Sequence, residues 1–129
     1  MSRISGLKRY QIFIKFNGHC AYCGCSMHYS EFQIDHIQPI SSFIINGKLN
    51  TRSAHNIRNL FPSCKPCNLS KKDLSIEAFR SKIKRSANFL KKYDFLFRLA
   101  IRFHTVTITN STVLFYFEKV QSTSYFAIL

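Results

Sequence analysis

Acidic side chains are what this 129-residue sequence has least of: six Asp and Glu stand against nineteen Lys and Arg, a formal charge of +13 with a pI near 9.9. That scarcity excludes an acidic, solvating chain. Long apolar runs are missing as well. Nothing approaches the roughly 18 consecutive apolar residues that a membrane span needs, and Ile12-Phe13-Ile14 is interrupted at once by Lys15. The opening residues therefore lack the apolar core of a secretory signal, and an intracellular location is expected, in a prokaryote, a phage host or an organelle. A full set of disulfides is excluded by arithmetic, since five cysteines cannot all pair. In a reducing compartment such cysteines serve more readily as metal ligands.

What is present is apolar enough to fold. Hydrophobic residues make up 46% of the chain, with thirteen Phe and six Tyr, so disorder is not its default state. The length suits one compact domain, residues 1–129, and not two. A charge this one-sided repels itself unless a polyanion neutralises it. Nucleic acid is the expected partner, ahead of an anionic membrane surface.

Leu7, Tyr10, Ile14 and Phe13 recur at helical spacing and predict an amphipathic helix over 4–17, ended by Asn17-Gly18. Phe32 to Ile37 alternates as a strand should, until Pro39. Residues 41–58 read as loop, with a helical turn at 53–58, and 60–62 as a second short strand. Pro66 suits the first turn of a helix. Asp73 or Ser75 can cap a further helix whose apolar face is Ile76, Phe79, Ile83, Ala87 and Leu90, and helical spacing continues to Phe103, giving a basic helical extension over 75–103. From Thr105 the chemistry turns β-branched and aromatic around Asn110-Ser111, which predicts a C-terminal β-hairpin over 105–118.

Two knuckles carry the strongest chemical signal. Cys20-Ala-Tyr-Cys23 and Cys64-Lys-Pro-Cys67 each offer two thiolates, and four thiolates complete a tetrahedral zinc shell with no open position for a reacting water. The expected zinc is structural. The 40 residues between Cys23 and Cys64 exceed the roughly 15–20 of a simple zinc ribbon, so either something is inserted between the knuckles or they staple the two ends of a working segment, about residues 18–73. Cys25 is a spare thiol or a substitute for Cys23.

Within that segment lie Asp35-His36 at the end of the first strand, Asn59 five residues before Cys64, and Asn68 directly after Cys67. The runs Cys20-Ala-Tyr-Cys-Gly24, Ile34-Asp-His-Ile-Gln-Pro39 and Asn56-Ile-Arg-Asn-Leu-Phe-Pro-Ser-Cys-Lys-Pro-Cys-Asn-Leu-Ser-Lys71 together resemble the four-cysteine branch of the HNH nuclease family across roughly fifty positions. The flanks resemble small stand-alone members from phages and mobile elements. The resemblance implies an α+β fold with a ββα-metal core of two antiparallel strands and a helix, stapled by zinc and flanked by the basic helices and the hairpin. It implies a metal-dependent endonuclease in which Asp35 and Asn68 bind the catalytic ion, His36 is the general base and Asn59 braces the loop that orients it. Asn68 stands where the family often has His; a neutral oxygen there favours Mg²⁺ or Mn²⁺ over a transition metal.

The chemistry is coherent on its own terms. Phosphodiester hydrolysis needs a base, and His36 is the residue type whose ordinary pKa lies near neutrality. A cation held by Asp35 and Asn68 would offset the charge that develops on the phosphate. From Lys65 to Lys92 there are nine Lys and Arg against two acids. Lys71, Lys72, Arg80, Lys82, Lys84 and Arg85 are the expected phosphate contacts, to duplex DNA first, supplying affinity without reading sequence. Two other readings share these features: a non-catalytic, zinc-stapled nucleic-acid-binding protein, and a nuclease directed at RNA.

Overall fold

The computed structural model describes residues 3–121. The centre is a two-stranded antiparallel ladder, β1 (Gln33–His36) against β4 (Leu60–Ser63), in the register Gln33↔Ser63, Ile34↔Pro62, Asp35↔Phe61 and His36↔Leu60. Every residue of β4 is buried, the apolar Leu60, Phe61 and Pro62 and the polar Ser63 alike. Pro62 lies within it without cost, because a two-stranded sheet has an edge on which no amide is required.

Between the strands the chain makes a 3₁₀ turn at Ile40–Phe43 and a miniature hairpin, β2 (Ile44–Ile45) with β3 (Lys48–Leu49). Asn46 and Gly47 both have positive φ, 51° and 74°, the pairing a two-residue hairpin turn requires. α2 (Thr51–Ala54) follows, N-capped by Asn50, and a second 3₁₀ turn at Ile57–Asn59 leads into β4. The expected loop over 41–58 is thus a chain of short, individually capped elements. After β4, α3 (Lys65–Lys71) starts with Pro66 in its first turn, where a missing amide hydrogen is harmless.

α1 (Gly6–Ile14) is capped by Ser5, whose side chain accepts from the Lys8 amide. It is shorter than the expected 4–17, and it buries a different face. Leu7, Tyr10 and Ile14 are exposed, whereas Ile12 is completely buried in a core with Phe32 and Leu60, joined by Phe13, Ile34 and Ile57. Each such side chain contributes about 1.5–3 kcal/mol on burial. The cations of α1 fix this choice. The Arg9 guanidinium lies 3.9 Å from the Phe32 ring centroid and donates to the Phe32 carbonyl at 2.9 Å. Lys15 Nζ donates to the carbonyls of Ile57 and Leu60 at 2.7 and 2.8 Å. Lys8 Nζ donates to the carbonyl of His55.

By its contacts the chain divides into two compact units, residues 3–76 with 114–121, and Glu77–Val113. The second unit holds almost all of α4 (Ile76–Tyr93) and α5 (Phe95–Arg102). α5 is capped by Asp94, whose Oδ1 accepts from the Phe97 amide at 2.9 Å.

The hairpin expected over 105–118 does not form. Residues 107–115 carry no strand, and 116–121 are helical. Instead the amides of Tyr116 and Phe117 donate to the carbonyls of Tyr22 and Ala21 at 2.9 and 2.8 Å, inside the first knuckle. Phe115 packs on Tyr22 and Phe117 on Phe61, with ring centroids 5.3 and 5.0 Å apart. The aromatic run that suggested a strand is satisfied by burying rings against the knuckle, which removes the need for a partner strand.

Candidate active site

The four knuckle sulfurs, of Cys20, Cys23, Cys64 and Cys67, all lie within 4.8 Å of one another. The Cys23 and Cys64 sulfurs are 3.7 Å apart. A tetrahedron of about 2.3 Å Zn–S bonds has edges near 3.8 Å, so the set fits a zinc ion as it stands. The electrostatics agree. The Cys67 thiol donates to Cys20 and pulls it down to about 4, while the same hydrogen bond pushes Cys67 up, and burial pushes Cys64 up. Four sulfurs this close share out very few negative charges unless a cation joins them. Cys25 lies outside the set; burial, followed by the Cys23 sulfur, raises its thiol to about 12 and keeps it protonated.

The staple brings Tyr22 under the end of β1. Its hydroxyl donates to Asp35 Oδ2, and Lys71 Nζ reaches the same oxygen at 3.0 Å. Asp35 and Lys71 are both shut away from solvent. Burial raises the Asp35 carboxyl, and the bonds from Tyr22 and Lys71 oppose that shift. The Tyr22 phenol is driven upward by its own burial and then by the neighbouring carboxylate, so it stays a donor. Asp35 Oδ2 is thus engaged twice.

His36 ends β1, and its carbonyl accepts from Lys71 Nζ at 2.9 Å. Its imidazole is held below the ordinary value, first by burial, then by His55 and Lys71. The rings of His36 and His55 face each other with centroids 5.2 Å apart. Asn59 ties together the segments on either side. Its Oδ1 accepts from the Gln38 amide at 2.8 Å, and its Nδ2 donates to the carbonyls of Gln38 and Ala54 at 3.2 and 3.0 Å.

Asp35, His36 and Asn68 line one open cleft of about 350 Å³, together with Ile34, Pro39, Ile40, Ser41, Lys72 and Asp73. Two oxygen donors with room for water suit a small, hard divalent ion. Asn59 is not in its lining. Lys72 is exposed on it, with a left-handed backbone (φ 50°) where α3 stops. Lys82, Lys84 and Arg85 are exposed on α4, whereas Arg80 is half-buried, pairs with Glu77 at 3.1 Å and donates to the Val113 carbonyl at 2.6 Å. Lys71 differs most from expectation. Read as a phosphate contact, it is the buried counter-ion of Asp35.

Tyr22 and Asp73 carry no site signal in the sequence, Asp73 reading as a helix cap, and His55 reads there as a solvated or packed residue or a phosphate contact. Lys71 follows Asn68 by three residues, one turn along α3.

Antiparallel strands, a following helix and a cluster of four sulfurs thus surround an Asp-His-Asn cleft. Residues 20–74 match the family model described as HNH endonuclease. Proteins of this family cleave nucleic acid. The solved structure of the Type II-C Cas9 enzyme from Actinomyces naeslundii is similar over 64% of this chain and 9% of that one, at 26% identity and a TM-score of 0.49. The chain thus spans about a tenth of that enzyme's length. No curated protein sequence matches the chain. No helix among the described residues is long and apolar enough to cross a membrane.

Proposed function

We propose that the protein is a metal-dependent DNA endonuclease with His36 as its general base. The observation that carries this reading is the convergence of Asp35, His36 and Asn68, from β1 and α3, on one solvent-open cleft. In the proposed reaction His36 accepts a proton from the attacking water as the new P–O bond forms and the scissile P–O bond breaks, the leaving oxygen taking its proton from a solvent water. Asp35 and the Asn68 amide oxygen would hold a Mg²⁺ or Mn²⁺ ion, which when bound would supply positive charge to the phosphate. Tyr22 and Lys71 keep the carboxylate oriented for that task. Asn59 holds the loop that follows His36. Lys72 binds the phosphate beside the cleft, and Lys82, Lys84 and Arg85 contribute sequence-independent attraction to the backbone. Zinc on the four cysteines stays structural.

The test is nicking of supercoiled plasmid by purified protein with Mg²⁺ or Mn²⁺, with labelled RNA run alongside. Wild type should nick DNA in a metal-dependent manner. His36→Ala should bind DNA and retain one zinc per chain while losing at least a hundredfold in rate. Equal rates in wild type and His36→Ala would overturn the assignment, and RNA cleavage without DNA cleavage would transfer it to RNA.

A further inference from the structure

Among the described residues, two buried side-chain nitrogen or oxygen atoms lack a hydrogen-bond partner, and they belong to neighbouring rings: Nε2 of His36 and Nε2 of His55. Their ring centroids are 5.2 Å apart, at an interplanar angle of 39°. A buried polar nitrogen left unpaired costs roughly 1–3 kcal/mol, so two of them side by side call for a common explanation. Imidazole provides one. A neutral ring carries one N–H donor and one bare acceptor, so two such rings can complete each other.

The position of His55 is held from several directions. Its side chain is 93% buried, being 7% exposed. Its amide donates to the Thr51 carbonyl at 2.9 Å, closing α2. Its carbonyl accepts from Lys8 Nζ on α1. The carbonyl of the preceding residue, Ala54, accepts from Asn59 Nδ2, the same amide group that grips Gln38 two residues beyond His36. One asparagine thus links the backbone beside His55 to the backbone beside His36. A histidine that only filled space would not require this, and Phe or Leu would fill the space without an orphaned nitrogen.

We propose that His55 is the positioning residue of His36. The Nε2–H of His36 is bridged through one water to the bare Nε2 of His55, and this fixes both the ring angle and the tautomer of His36. With Nε2 turned inward and carrying the hydrogen, Nδ1 is the unprotonated nitrogen left for the cleft that His36 lines. Which ring nitrogen is free is set by the bond the other one makes. This inference rests on the nuclease reading for its consequence in catalysis, but the ring pairing is testable without catalysis.

Two measurements on the full-length, zinc-loaded protein test it. The first is the long-range ¹H–¹⁵N NMR spectrum of the histidine rings at neutral pH, with His36 assigned by its loss in His36→Ala. Wild-type His36 should be the Nε2–H tautomer and His55 the Nδ1–H tautomer, and His55→Phe should turn His36 into a mixture. The second is single-turnover cleavage. His55→Phe should lower the rate constant ten- to a hundredfold with DNA affinity unchanged, and His55→Gln, which restores a polar partner, should recover most of it. The proposal is overturned by a wild-type His36 in the Nδ1–H form, by a His55→Phe protein with wild-type rate and tautomer, or by His55→Phe and His55→Gln losing rate equally. If the wild type cleaves nothing, the nuclease reading fails, while the wild-type tautomer, which needs no variant to fold, still decides the pairing.

Discussion

The ammonium of Lys71 sits 3.0 Å from Oδ2 of Asp35, with neither side chain open to solvent. The pair links the C-terminal turn of α3 to the end of β1. The same ammonium donates to the carbonyl of His36, so one lysine holds the backbone of the proposed base and the side chain of the proposed ion ligand.

Removing one partner of this pair strands the other as a buried charge. Lys71→Met should therefore lower unfolding stability by about 3–5 kcal/mol. Replacing both, as Asp35→Leu with Lys71→Met, should recover most of that loss while cleavage stays absent. Denaturant melts of the two variants beside wild type check this. A single variant as stable as wild type would show that the pair does not govern the local fold.

Lys72 presents two effects of opposite sign. Its positive φ of 50° suits glycine, and Lys72→Gly should raise stability by about 1 kcal/mol. The same change removes a cation from the cleft and should weaken cleavage severalfold. A thermal melt together with a nicking assay separates the two, and a destabilised variant would contradict the backbone argument.

The sulfur cluster should account for most of the fold's stability. A high-affinity zinc chelator, or Cys64→Ser, should unfold the first unit cooperatively, because binding free energy in such sites is folding free energy. Circular dichroism with metal analysis reads the outcome. A zinc-free protein that keeps its fold and its cleavage activity would overturn the staple.

Burial, with His55 and Lys71, lowers the His36 pKa. A base must be neutral to accept a proton, so a lowered value keeps it competent to lower pH. The acid limb of cleavage should then fall below the ordinary imidazole value of about 6.5. It should be measured at saturating Mg²⁺, since a limb caused by protonation of the raised Asp35 carboxyl shifts with ion concentration and one from His36 does not. An acid limb above 6.5 would contradict the environment described for His36.

The staple, the ladder and the cleft residues were legible in the sequence because each rests on local pattern. C-x-x-C spacing, the alternation around Asp35-His36 and Pro66 at a helix start need no tertiary information. What was hidden depends on which face an element buries. The face of α1 was misread because its stripe offered Leu7, Tyr10 and Ile14 as readily as Ile12, and Arg9 and Lys15 decided the matter by bonding carbonyls far along the chain. The strand signal at 112–118 failed for a similar reason, since aromatic rings seek burial and the first knuckle offered it. Lys71 and His55 look like surface residues in any composition count, and their partners, Asp35 and His36, are set by tertiary contacts.

The most direct test of the central claim is the anomalous scattering of a crystal soaked in Mn²⁺. The ion should lie bonded to the Asp35 carboxylate and to the side-chain oxygen of Asn68, with the His36 ring facing it across the cleft. A crystal that takes up Mn²⁺ elsewhere and leaves these two side chains without it at millimolar concentration would contradict the account.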